Sequence, residues 1–244
     1  MNTNKSILSL ALAVLLALPL AVSARVPKRI YLEKTRVACV GNSITYGMTL
    51  AAPATESYPA QLQQMLGDGY EVGNFGKSGA TLLRHGHRPY TEQEEWAKAK
   101  AFKGDIAVIH LGVNDTDPRN WPFYRDEFVS DYLALIDTLR QQNPKCRVLI
   151  ALLSPITHNH PRFESGTQQW HEEIQEAIKT VARVGKAQLI DFHKPLYAYP
   201  QLLPDAVHPN KEGATMLART VCAAILGNYG GLQMPMTYSD NMVL

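Results

Sequence analysis

Net charge is nearly absent from this chain, which has 24 basic and 22 acidic side chains in 244 residues. Lys5 is the one charged residue among the first 24, so the remainder carries 23 basic against 22 acidic groups. A balance this even gives no overall attraction to nucleic acid or to an anionic membrane surface, and any basic patch must be local. Neither a dinucleotide-binding glycine fingerprint nor a Walker motif occurs, which removes the nucleotide enzymes as a natural reading. There are no repeats at solenoid periods and no low-complexity tract. Cysteine is scarce. Cys39, Cys146 and Cys222 are an odd number at wide spacing, and two of them fall in apolar periodic segments, so buried free thiols are expected rather than a disulfide framework.

What is present begins with a leader. Lys5 precedes an apolar run from Ile7 to Val22 and the small residues Ser23 and Ala24. The run is too short for a membrane span and no stop-transfer segment follows it, so residues 1–24 read as a signal peptide, with secretion or a periplasmic location expected. Residues 25–229 are long enough to bury a sizeable core in one domain. Residues 230–244 follow the glycine-rich exit Gly227–Gly231 and read as a linker into a further domain.

Within 25–229, short apolar runs alternate with amphipathic segments. Val37–Gly41, Tyr70–Phe75, Asp105–Gly112, Arg147–Leu153 and Ala187–Phe192 read as strands, the third apolar at nearly every position. Helices are expected over Ser57–Leu66, with a proline near the start and Gly67 past the end, and over Glu92–Lys103. Phe128, Tyr132, Leu135, Ile136 and Leu139 mark another helix that Asn143-Pro144 closes. Two more are expected, through Trp170, Ile174 and Ile178, and from Lys211 to Ile225. Parallel neighbours need crossover helices, so the alternation predicts an α/β fold: a doubly wound three-layer sandwich around a five-stranded parallel sheet.

On such a sheet the functional residues gather where the strands end. Ser43 follows the first strand, Gly79 the second, and Asn114 the third, while the loop before the last helix supplies Asp205 and His208. A serine hydroxyl is a weak nucleophile until a base takes its proton, and a histidine serves as that base when a carboxylate holds its other ring nitrogen. Asp205 and His208, three residues apart, can pair locally. The oxyanion of a tetrahedral intermediate needs fixed donors, which the backbone amides of Ser43 and Gly79 and the side-chain amide of Asn114 supply. The set calls for neither a metal nor another cofactor. Thr45 stands where a nucleophile elbow requires its second glycine, which disfavours the α/β-hydrolase fold. His85-x-His87 and His158-x-His160 lack the helix-borne partner motif of a catalytic zinc site.

These residues resemble the blocks of the SGNH hydrolases, the GDSL esterase/lipase family, which has a flavodoxin-like fold. Gly41-Asn42-Ser43 resembles the nucleophile block, Asn74 to Gly79 the glycine block, Gly112-x-Asn114-Asp115 the asparagine block, and Asp205-x-x-His208-Pro209 the last block, in family order. Gly-Asn-Ser-Ile stands where the family name implies Gly-Asp-Ser-Leu. The resemblance implies a serine esterase. The different-class alternative is a carbohydrate-binding module that keeps the fold without activity, which a complete set of catalytic residue types argues against.

Arg84 and Arg88 follow the glycine block and are expected beside the mouth of the site, where arginine grips a carboxylate in bidentate fashion. Trp121, with Phe123 and Tyr124, either opens a helix or forms a sugar-stacking wall. His110 reads as a packed strand-end histidine with a satisfied hydrogen bond, and Asp115 and Asp117 as turn organisers. The terminal Ser239-Asp240-Asn241-Met242-Val243-Leu244 resembles the opening of a sialate O-acetylesterase domain. Together these imply an O-acetylated carbohydrate as substrate, with sialic acids first, and acetylated xylan or a lysophospholipid as rivals.

Overall fold

The computed structural model describes residues 33–157 and 167–227. The leader at 1–24, His158-x-His160 and the tail at 230–244 lie outside the described residues. Five strands form one all-parallel sheet: β1 (Thr35–Gly41), β2 (Tyr70–Gly76), β3 (Ile106–His110), β4 (Arg147–Leu152) and β5 (Gln188–Asp191), in the order β2-β1-β3-β4-β5. The helices are α1 (Ser43–Tyr46), α2 (Pro53–Glu56), α3 (Tyr58–Leu66), α4 (Glu94–Phe102), α5 (Trp121–Tyr124), α6 (Phe128–Gln142), α7 (Thr167–Val184), α8 (Lys194–Tyr197) and α9 (Lys211–Ile225). The α3 helix packs on α9, and α4 and α7 both pack on α6. The chain leaves β1 toward β2 and afterwards winds the other way through β3, β4 and β5, so right-handed crossovers put helices on both faces of the sheet.

Every residue of β3 is buried, as a continuous apolar run between two helical layers requires. Its run extends to Leu111, but pairing with β1 stops at His110, because Gly112 takes φ +123° and turns the chain out of the sheet. Phe128, Tyr132, Leu135, Ile136 and Leu139 form the buried stripe of α6. Cys39 and Cys146 are buried free thiols, burial pushing Cys39 up to about 12, and Cys222 is half-buried and free. Among the described residues no helix is long and apolar enough to cross a membrane.

Register positions the site. Gly41 lies level with Gly76 on one side and with His110 on the other, so the loops after β1, β2 and β3 leave the sheet at one edge. This is the switch point where the winding direction reverses and where such sheets hold their ligands. The Lys77 N–H continues the ladder by donating to the Gly41 carbonyl at 2.9 Å.

Candidate active site

The turn after β1 is built for close approach. A Cβ at Gly41 would collide with the Thr45 Oγ1, and one at Gly76 with the Tyr46 backbone nitrogen, so the two glycines let α1 sit directly over the ends of β1 and β2. Asn42 caps α1, its Oδ1 accepting from the Ile44 N–H at 3.0 Å. Asn74 ties down the other end of α1, donating from Nδ2 to the Thr45 carbonyl at 2.8 Å, while its Oδ1 accepts from the Gly76 N–H. Ser43 is the first residue of α1, held from both sides.

Across 165 residues of sequence, His208 Nε2 lies 2.8 Å from Ser43 Oγ. His208 Nδ1 lies 2.6 Å from Asp205 Oδ2, and Asp205 Oδ1 accepts from the backbone N–H of His208 at 2.7 Å and of Val207 at 3.1 Å. Both carboxylate oxygens are therefore engaged, which fixes the ring and places its Nδ1 hydrogen toward Asp205. Burial alone would raise the Asp205 carboxyl. The His208 N–H, the His208 ring and the Val207 N–H outweigh that and hold it below its ordinary value. Between them Ala206 adopts φ +72°, a left-handed conformation that costs a non-glycine residue about 1 kcal/mol or more. Two backbone bonds enforce it: the Ala206 N–H donates to the Leu203 carbonyl, and its carbonyl accepts from the Thr157 N–H.

The loop after β2 brings Gly79, at φ +76°, to the same edge. Among the described residues neither the Gly79 N–H nor the Ser43 N–H finds a protein acceptor. Asn114 stands in the turn after β3, where its Nδ2 donates one hydrogen to the Ala80 carbonyl at 2.9 Å and keeps the other. Two residues lock these loops together. Asp115, fully buried, accepts from the Leu82 and Leu83 N–H groups at 2.9 Å each. Burial pushes its carboxyl up to about 6 against the pull of those two donors. Asn120, also fully buried, donates to the Asn114 carbonyl at 2.9 Å and accepts from the His87 N–H at 2.9 Å. Asn120 was not anticipated from the sequence, where an asparagine before a tryptophan and a proline reads only as a turn. Asp117 does organise its turn, accepting from the Arg119 N–H.

The flanking expectations divide. Arg88 lies beside Gly79, its guanidinium 3.5 Å from where a Gly79 Cβ would stand. Arg84 instead lines a groove with Trp96, Lys100 and Asp131, and its N–H donates to Asp131. Trp121 is no sugar-stacking wall: it is 3% exposed, packs edge-on against Phe128, and its indole N–H donates to Glu173 at 2.6 Å. An indole with an acceptor in reach is stable inside, and that acceptor comes from α7, fifty-two residues away. Phe123, 72% exposed, is the outward aromatic of α5. His85 pairs with Glu127, and His87 with Asn120. His110 packs as expected but only half satisfied: Nε2 accepts from the Ser154 N–H at 3.2 Å, while the buried Nδ1 has no partner among the described residues.

Residues 39–216 match the GDSL-like lipase/acylhydrolase family. The chain belongs to that family. This GDSL-family domain is 38% identical over 209 residues to an acetylxylan esterase of Xylanibacter ruminicola, an alignment covering 79% of this chain and 43% of that protein. It thus spans less than half the length of that curated relative. Among solved structures it resembles Est24, a carbohydrate acetylesterase from Sinorhizobium meliloti, at 20% identity with a TM-score of 0.60 over 80% of this chain and 99% of the other. It also resembles a GDSL-like lipase from Bacteroides thetaiotaomicron, at 20% identity with a TM-score of 0.61 over 79% and 88%. Both support the fold. The family is one of lipases and acylhydrolases.

Proposed function

We propose that this chain is a secreted or periplasmic serine esterase that removes O-acetyl groups from carbohydrate through an acetyl-enzyme on Ser43. The observation that carries the reading is the unbroken series Ser43 Oγ, His208 Nε2, His208 Nδ1, Asp205 Oδ2, with contacts of 2.8 and 2.6 Å. Ser43 Oγ attacks the acetyl carbonyl as His208 Nε2 takes its proton. Asp205 stabilises the resulting imidazolium. The oxyanion is received by the Ser43 and Gly79 N–H groups and the free Nδ2 hydrogen of Asn114. His208 then returns the proton to the leaving sugar hydroxyl, and a water activated by the same ring releases acetate.

The 38% identity to an acetylxylan esterase favours an acetylated xylan-like glycan. A second reading, O-acetylated sialic acid, draws on Arg88 beside Gly79, since a guanidinium there can pair with a substrate carboxylate. The resemblance of residues 239–244 to a sialate O-acetylesterase opening adds to it. Acetate release from acetylated xylan, 9-O-acetylated sialic acid and a lysophospholipid, measured side by side, separates these. Preference for xylan is expected. Preference for the sialic acid, with a KM that rises in Arg88→Gln for that substrate alone, establishes the second reading, and preference for the lysophospholipid overturns both.

A further inference from the structure

Beyond the carboxyl ends of β4 and β5 lies a cavity of about 880 Å3, walled in part by α7 and α8. Its size falls in the range of small-molecule sites. It adjoins the triad loop, because Thr157, whose N–H donates to the Ala206 carbonyl at 2.9 Å, belongs to its wall.

Two features define what the cavity suits. Tyr197 is 70% exposed, and its ring lies stacked on His193 with centroids 5.0 Å apart and planes at 22°. Burial holds His193 below its ordinary value, Asp191 pulling the other way. A rigid aromatic pair open to water is an apolar face on which a flat apolar surface can lie. The second feature is charge. Glu172 and Glu176 line the cavity against Lys179, which itself pairs with Glu176 at 2.6 Å. A surplus of carboxylates repels an anionic ligand and offers acceptors to hydroxyl groups. An apolar ring face beside hydroxyl acceptors matches a pyranose, which has C–H groups on its faces and hydroxyls around its rim.

We propose that this cavity is a subsite for uncharged sugar residues of the glycan chain that flank the acetylated one at Ser43, with Tyr197 as the stacking platform. The inference rests on the glycan-esterase reading above and deepens it, since it gives the enzyme a preference for neutral chains over single or acidic sugars.

The test compares wild type, Tyr197→Ala and Tyr197→Phe on acetylated xylooligosaccharides and on p-nitrophenyl acetate, which is too small to span the cavity. Loss of one aromatic contact should raise KM for the oligosaccharide about two- to tenfold in Tyr197→Ala, leaving kcat and turnover of the small ester unchanged. Tyr197→Phe, which keeps the ring, should stay near wild type. An unchanged oligosaccharide KM, or an equal change on both substrates, overturns the subsite. If wild type shows no Ser43-dependent turnover of any acetyl ester, the esterase reading fails, and native gel retardation by deacetylated xylan then reads the subsite alone. Retardation of wild type but not of Tyr197→Ala supports it, and equal mobility overturns it.

Discussion

Asn114 commits one amide hydrogen to the Ala80 carbonyl and keeps the other, which the proposed mechanism gives to the oxyanion. A donor held this way acts where charge develops, in the transition state rather than on the bound ester. Asn114→Ala should lower kcat about 100- to 1,000-fold with a much smaller change in KM, read by steady-state kinetics on p-nitrophenyl acetate. A change confined to KM would make Asn114 a ground-state contact. The meeting of Ser43, His208 and Asp205 was legible in the sequence because serine-ester chemistry demands those side-chain types at strand ends. Trp121 was not, because which way a side chain faces at a helix start depends on a partner as distant as Glu173. Arg84 and Arg88 were equally opaque: four residues apart in a loop without periodicity, one lies beside Gly79 and the other lines a groove with Trp96, Lys100 and Asp131.

The loops of the site hold their geometry by side chains reaching from one element's end to the next, and Asp115 is the clearest case. Each of its oxygens accepts a different buried N–H, from Leu82 and Leu83. An asparagine has one acceptor oxygen, so in Asp115→Asn one of these N–H groups faces an NH2 group, at a cost of about 1–3 kcal/mol. The melting temperature should fall by several degrees and kcat should fall with it, because the loop carrying Gly79 loosens; calorimetry and kinetics on one preparation check both. An unchanged kcat in a destabilised variant would make Asp115 a purely structural residue. The five strands and α3, α4, α6, α7 and α9 were readable, since each shows a buried run or a helical stripe. The four-residue helices α1, α2 and α8 were not, because a single turn has no period to detect, and α5 entered only as one of two readings of Trp121. Nor was the exit of the chain from β3 before Leu111, which the positive φ of Gly112 decides.

At the scale of the whole molecule, stability responds to pH through two buried groups. Burial lowers His110 from its ordinary 6.5 to about 3 and raises Asp115 from 3.8 to about 6. The contribution of neutral His110 is fully present above pH 6.5 and is lost as pH falls toward 3. That of Asp115 is present below 3.8 and is lost as pH rises through about 6. Between pH 4 and 6 the two oppose each other, so substitution of one exposes the other. His110→Asn should gain stability relative to wild type as pH falls below 6.5, by about 1.4 kcal/mol per pH unit, in urea titrations at a series of pH values. A constant difference across that range would mean that His110 titrates alike in both states. In the proposed mechanism activity depends instead on Ser43, at the edge where β1, β2 and β3 end together. The direct measurement is acetate release from acetylated xylan by wild type and by Ser43→Ala, both shown to be folded by circular dichroism. The account predicts steady release by the wild type and only background release by the variant; equal release by both would contradict it.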